Sequence, residues 1–204
     1  MHTPPTVIVL AHTLSEAATP AGTLDSTPPY GVLQAMLNRV LASELPMVLV
    51  AYPNLTEQAR RLIPGNCIVE LPPKQSQSPC AGVAAIVAGV HASAQSDGWL
   101  VLPADMPMLQ PNTLRLVAQA LRTIPVALPQ YRGRRGHPMG FGRELFSELI
   151  RLDHDRDLYR LMSRYPCEDI DVDDPGVVLH HHDDAQVLRA ARGLTPSSET
   201  SWLR

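Results

Sequence analysis

Three stretches of the chain carry side chains able to do chemistry, and each lies where an apolar run stops. Leu100-Val101-Leu102-Pro103-Ala104-Asp105-Met106-Pro107 is a strand candidate that ends in one carboxylate between prolines. In an open parallel sheet the carboxyl ends of the strands face the ligand crevice, so Asp105 is placed to hold a Mg²⁺ that carries nucleotide phosphates. A helix-cap or turn aspartate is the competing reading. Tyr131-Arg132-Gly133-Arg134-Arg135-Gly136-His137-Pro138 is basic and glycine-punctuated. Its glycines permit close backbone approach to a ligand, and Arg132, Arg134 and Arg135 can pair with an anion. The competing reading is a solvated hairpin. His180-His181-His182-Asp183-Asp184 closes a later apolar stretch. If a strand runs through it, His180 and His182 share one face, and a transition metal is the ion two imidazoles would take. A polar, solvated strand end competes with that.

These groups need a scaffold, and the composition describes one. A chain of 204 residues, 45% apolar and 18% charged, is long enough to bury a core as one domain. A net charge of −3 gives no general attraction for nucleic acid or an anionic membrane, which points to small molecules or proteins as partners. Cys67, Cys80 and Cys167 have neither disulfide-framework nor zinc spacing. With no signal-like or membrane-spanning run in the sequence, a cytoplasmic location is expected.

Apolar periodicity sets the elements. Val7–Leu10 reads as a buried strand, followed by a small and polar loop over 11–29, the position where α/β proteins bind ligands. Helical spacing covers Gly31–Leu45, a strand follows at Met47–Ala51, and Thr56–Leu62 reads as a helix capped by Thr56. Cys67–Leu71 reads as a strand, Ala81–Ala94 as a small-residue helix, Trp99–Leu102 as a strand and Pro111–Arg122 as a helix capped by Asn112. Val126–Tyr131 extends the sheet. Arg143–Leu152 and Leu158–Tyr165 look helical, and Glu168–Val172 and Val177–His181 look like late strands. The alternation predicts an α/β fold, a mainly parallel sheet with helices on both faces. A single domain over 1–192 with a frayed tail over 193–204 is expected.

Val101-Leu102-Pro103-Ala104-Asp105-Met106-Pro107, Pro129 to Pro138, and Asp171-Val172-Asp173-Asp174-Pro175-Gly176 with its following apolar run together resemble the MobA-like nucleotidyltransferases, closest to their molybdenum cofactor cytidylyltransferase branch, over Thr6 to Leu188. The resemblance implies a Rossmann-like sheet of the nucleotide-diphospho-sugar transferase type. It implies transfer of a nucleoside monophosphate from CTP or GTP to molybdopterin, with release of pyrophosphate. It implies Asp105 as the catalytic Mg²⁺ ligand, and Gly136, His137 and Pro138 as contacts to the pterin-type acceptor. The late D-x-D-T motif of the family falls on His180-His181-His182-Asp183, so His182 or Asp183 would be the second metal ligand.

The opening loop departs from the family pattern, L-A-A-G or L-A-G-G followed by x-S-x-R-x-G-x-x-K. Leu10, Ala11 and Ser15 agree, and are the nucleotide contacts the resemblance implies. Thr13 and Thr19 stand at the glycines, Ala17 at the arginine and Gly22 at the lysine. A triphosphate would lose two cations there, and removing one comparable donor costs about a hundredfold in rate. This leaves two readings. One is an active transferase with a weakened Mg²⁺ site. The other is a non-catalytic relative that binds cofactor, nucleotide or a molybdoenzyme partner.

Overall fold

The computed structural model of the chain describes residues 3–11, 14, 29–72 and 81–180. Along the chain run strand β1 (Thr6–Leu10), helix α1 (Pro29–Ala42), β2 (Met47–Ala51), α2 (Pro53–Ala59), β3 (Ile68–Glu70), α3 (Ala81–Ala92), β4 (Gly98–Pro103), α4 (Pro111–Ala120), β5 (Val126–Tyr131), β6 (Arg134–Arg135), β7 (Met139–Gly142), α5 (Phe146–Leu149), α6 (Asp155–Arg164) and β8 (Cys167–Asp171). The strands form one mixed sheet in the order β3-β2-β1-β4-β7-β5-β6, with β8 also paired to β5. The ladders β3·β2, β2·β1, β1·β4 and β5·β8 are parallel, and β7 lies antiparallel between β4 and β5.

Alternation along each central strand divides the core between the two faces. Val7, Val9, Leu100 and Leu102 pack with Leu33, Met36, Leu37 and Val40 of α1 and Leu114 and Val117 of α4. Ile8, Leu10, Trp99 and Val101 pack on the other face with Val83, Ile86 and Val90 of α3 and Leu158 and Leu161 of α6. Burial on both faces explains why β1 and β2 read as unbroken apolar runs rather than as alternating ones. Among the described residues no helix is long and apolar enough to cross a membrane.

Four local expectations are corrected. Thr56 is not a cap but lies inside α2, where Tyr52 is the cap residue and Pro53 opens the first turn. The Thr56 hydroxyl is instead bonded to the Pro53 carbonyl and, at 2.6 Å, to a carboxylate oxygen of Glu70 at the end of β3. Asn112 does not cap α4, which starts one residue earlier at Pro111 behind Gln110. The capping acceptor comes from far along the chain, because the Gln110 amide donates to the Asp174 carboxylate at 2.9 Å. Val177 to His180 is not a strand. Pro175–Val177 forms a 3-10 turn, continued by the Val178 amide donating to the Pro175 carbonyl, and the apolar run is explained by burial of Val177 with half-buried Val178 packed on the same core. Arg143–Leu152 divides into a 3-10 turn at Arg143–Leu145 and the short α5.

Candidate active site at the end of β4

The end of β4 is fixed from two sides. The Ala104 amide donates to the Leu10 carbonyl at 3.0 Å, which carries the β1·β4 ladder one residue past the strand. Beyond it the chain turns, and Met106 and Leu109 are fully buried on either side of the exposed Met108. These apolar anchors leave Asp105 little freedom. Its Oδ2 lies 3.0 Å from Nδ1 of His180, while its Oδ1 is buried without a hydrogen-bond partner among the described residues. A buried acceptor left unpaired costs about 1–3 kcal/mol, more when charged, so the site is built at a cost to the ligand-free protein.

Gly136, His137 and Pro138 arrive through a widened bulge. Arg135 faces Gln130 and Gly140 faces Ala127, so between those pairs the β6–β7 side has two residues more than β5. The surplus is expelled at Gly136-His137-Pro138, where the His137–Pro138 peptide is cis. Gly136 donates to the Pro129 carbonyl and His137 to the Val177 carbonyl, each at 2.8 Å. A Cβ on Gly136 would lie 1.9 Å from the Val177 carbonyl oxygen, so the close approach requires glycine. The His137 ring meets the His180 ring edge to face with centroids 6.2 Å apart. Burial first, and then repulsion from His180, push its pKa down to about 4 against a partial opposing effect of Asp105. His137 is therefore neutral at neutral pH.

One carboxylate ties these pieces together. Buried Asp174 accepts from the Gln110 amide, from the Thr113 hydroxyl at 2.6 Å and from the Gly176 amide at 2.9 Å. Gly176 sits so close to the Met108–Leu109 peptide that a Cβ would come within 2.5 Å of it. The turn that presents Val177 to His137, and His180 to Asp105, is thereby locked to the start of α4. The basic residues lie elsewhere. Arg132 and Gly133 form the positive-φ tip of the β5–β6 hairpin, with the Arg132 guanidinium 5.1 Å above the Tyr131 ring. Arg135 is paired with Asp169 at 2.8 Å. Residues 132–135 are exposed, and it is His137 that lies within the influence of His180 and Asp105.

The family model of the MobA-like NTP transferase domain matches residues 30–170. The chain belongs to that family. No curated protein matches its sequence. Among solved structures, this MobA-like chain is similar to Rv0371c from Mycobacterium tuberculosis H37Rv, at 23% identity and a TM-score of 0.69, over 92% of this chain and 98% of that one. Rv0371c has also been solved in complex with manganese, with a TM-score of 0.67 over 93% of this chain and 100% of the other. A nucleotidyl transferase from Methanothermobacter thermautotroptrophicus aligns at 18% identity and a TM-score of 0.69, over 94% and 99% of the two chains. The 4-diphosphocytidyl-2C-methyl-D-erythritol synthase of Anaerococcus prevotii aligns at 11% identity and a TM-score of 0.67, over 95% and 97%. At these identities the likeness is one of fold, and it agrees with the Rossmann-like, nucleotide-diphospho-sugar transferase type expected from the sequence.

Of the family's nucleotide-loop positions in this MobA-like chain, Leu10 and Ala11 close β1 in buried positions, and the Ala11 amide donates to the Val50 carbonyl at 2.9 Å. Ser15, His182 and Asp183 lie outside the described residues, as does the 193–204 tail. The donors at Asp105 fit a divalent cation, because a buried carboxylate oxygen without a partner is the group such an ion satisfies. Among the described residues no three His, Cys, Asp or Glu side chains gather into a metal-holding group, and His180 stands beside Asp105. Sequence reasoning missed the locking role of Asp174, which had a signal, since Asp174 lies in the Asp171–Gly176 stretch that carried the resemblance.

Proposed function

We propose that the chain is a nucleotidyltransferase that moves a nucleoside monophosphate from CTP or GTP to a molybdopterin-type acceptor and releases pyrophosphate. The observation that carries this reading is the buried, unpartnered Asp105 Oδ1 at the end of β4, beside the Gly136-His137-Pro138 bulge. Asp105 would hold a divalent cation, Mg²⁺ in the family's usual chemistry, and that ion would offset the charge of the phosphates. Leu10, Ala11 and Ser15 border the nucleotide. Gly136, His137 and Pro138 border the acceptor. Neutral His137 can orient an acceptor group by hydrogen bonding without adding charge beside the cation.

A second reading is a non-catalytic relative that binds cofactor, nucleotide or a molybdoenzyme. It is favoured by Ala17 and Gly22 at the family's cationic positions, together with the Arg135–Asp169 pair, which occupies the arginine nearest the bulge. Calorimetric titration with CTP and with GTP, each with Mg²⁺ and with EDTA, separates the two. Metal-dependent micromolar binding that Asp105→Ala abolishes is the result expected of the transferase. Absence of binding for both nucleotides would leave only the second reading.

A further inference from the structure

The proposed metal role of Asp105 leaves open which late residue completes the site. The positions implied by family resemblance, His182 and Asp183, lie outside the described residues; among the described residues His180 is a late side chain beside Asp105. We propose that Asp105 and His180 form a mixed oxygen and nitrogen pair for one divalent cation, which turns the site from Mg²⁺ toward ions that accept imidazole, such as Mn²⁺ or Zn²⁺. This inference rests on the reading of Asp105 as the cation ligand.

Three observations support it. Nδ1 of His180 and Oδ2 of Asp105 stand 3.0 Å apart. Adjacent ligands on an octahedral ion with bonds of about 2.1 Å stand about 3.0 Å apart, so the pair already has the bite of a chelate. The second is the buried Oδ1 of the same carboxylate, which has no partner while Oδ2 faces His180. The third is preorganisation. Both residues leave the same locked assembly, because Asp174 joins the 175–177 turn to the start of α4 while Gly176 packs on the Met108–Leu109 peptide. The backbone that leads to both donors is therefore held by buried contacts.

The chemistry of the pair decides the ion. Mg²⁺ binding relies on carboxylate charge and retained water, and a neutral imidazole in place of a second carboxylate removes one negative charge. The same imidazole offers a nitrogen lone pair that transition ions accept more readily. Two protein ligands leave the other coordination positions to water and to nucleotide phosphate. Without metal, the same two atoms share a hydrogen bond. On metal entry the Nδ1 proton is released or the ring takes its Nε2–H tautomer, so that Nδ1 donates its lone pair to the ion.

The test uses the whole, tag-free protein and Mn²⁺ alone. Electron paramagnetic resonance follows the titration, and electron spin echo modulation detects a nitrogen bound directly to the ion. The expected result is saturable Mn²⁺ binding with nitrogen modulation, which His180→Asp abolishes and Asp105→Asn weakens by about tenfold or more. His180→Asp should also raise Mg²⁺ competition against Mn²⁺ by about tenfold or more, since it restores an all-oxygen pair. His180 is partly exposed, so its substitution leaves the core intact, and the melting curve of the variant should overlay that of the parent. Failure to bind Mn²⁺, binding without nitrogen modulation, or nitrogen modulation that survives in His180→Asp would each overturn the proposal. So would full affinity in Asp105→Asn, which would place the ion on the histidine run instead. Metal-dependent CTP or GTP binding in a protein without nitrogen modulation would refute this inference and keep the transferase reading. Nitrogen modulation in a protein that binds neither nucleotide would do the reverse.

Discussion

Substituting Gly136 by alanine tests the idea that the acceptor bulge is held by backbone contact. The added Cβ would lie 1.9 Å from the Val177 carbonyl oxygen and 2.6 Å from its carbon, against the 3.4 Å or more of ordinary contact, so one backbone must retreat by more than an ångström. That retreat breaks or stretches the 2.8 Å bond from the His137 amide to the same carbonyl. Overpacking costs about 1–3 kcal/mol and the lost hydrogen bond about 1 kcal/mol, so Gly136→Ala should destabilise the protein by about 3 kcal/mol. For a chain of this size that is a fall in Tm of about 6–12 °C. Gly133→Ala is the control within the same loop. Gly133 has φ +75° and nothing within 4 Å of its Cβ position, so it bears backbone strain alone, about 1 kcal/mol. Equilibrium urea denaturation of both variants reads the difference directly. Equal stability of Gly136→Ala and the parent, or a larger loss at Gly133 than at Gly136, would refute the claim that contact with Val177 fixes the bulge.

Asp174→Ala should cost about 3–5 kcal/mol, since it leaves the Gln110 and Gly176 amides and the Thr113 hydroxyl without their shared acceptor; a midpoint unchanged in urea would show that the lock is dispensable. His137 carries a pH prediction. Its pKa falls from 6.5 in the unfolded chain to about 4 in the fold, so between those values the unfolded state binds the extra proton and stability rises with pH. The loss on acidification through that window is at most about 3 kcal/mol, and His137→Gln should flatten it in chemical denaturation series run from pH 7 to pH 4. Leu102→Ala, in a fully buried position of β4, should cost about 2–5 kcal/mol by calorimetric melting and displace the Asp105 turn with it; a loss below 1 kcal/mol would place the anchoring elsewhere.

The parallel part of the fold was legible because burial on both faces writes itself as continuous apolar sequence. Val7–Leu10, Met47–Ala51 and Val126–Tyr131 were bounded to within a residue for that reason. The antiparallel part was not. β6 is two exposed arginines, and β7 is Met139-Gly140-Phe141-Gly142, where the glycines face close neighbours and leave one bulky buried side chain to carry the pattern. The helix starts failed for another reason. Thr56 and Asn112 have capping chemistry at the right spacing, but a proline at each first position moves the start upstream, and in α4 a distant carboxylate serves as the acceptor.

At the site, sequence reasoning placed Asp105 by a rule about strand ends, which depends only on neighbours in the chain. The placement of His180 depends on contacts across 75 positions, and no local pattern reports those. The expectation of a strand at Val177–His181 gave that segment a period of two, which the described residues through His180 do not follow. The 3-10 turn at Pro175–Val177 replaces that period. A buried aspartate at its start and a glycine packed on the Met108–Leu109 peptide then aim the chain at the end of β4. Of the residues that make this possible, Gly176 and Gly136 have no side chain to offer a substrate and the buried Asp174 carboxylate is engaged by three donors. They matter because each permits or enforces one backbone contact, and those contacts decide which late side chain stands beside Asp105.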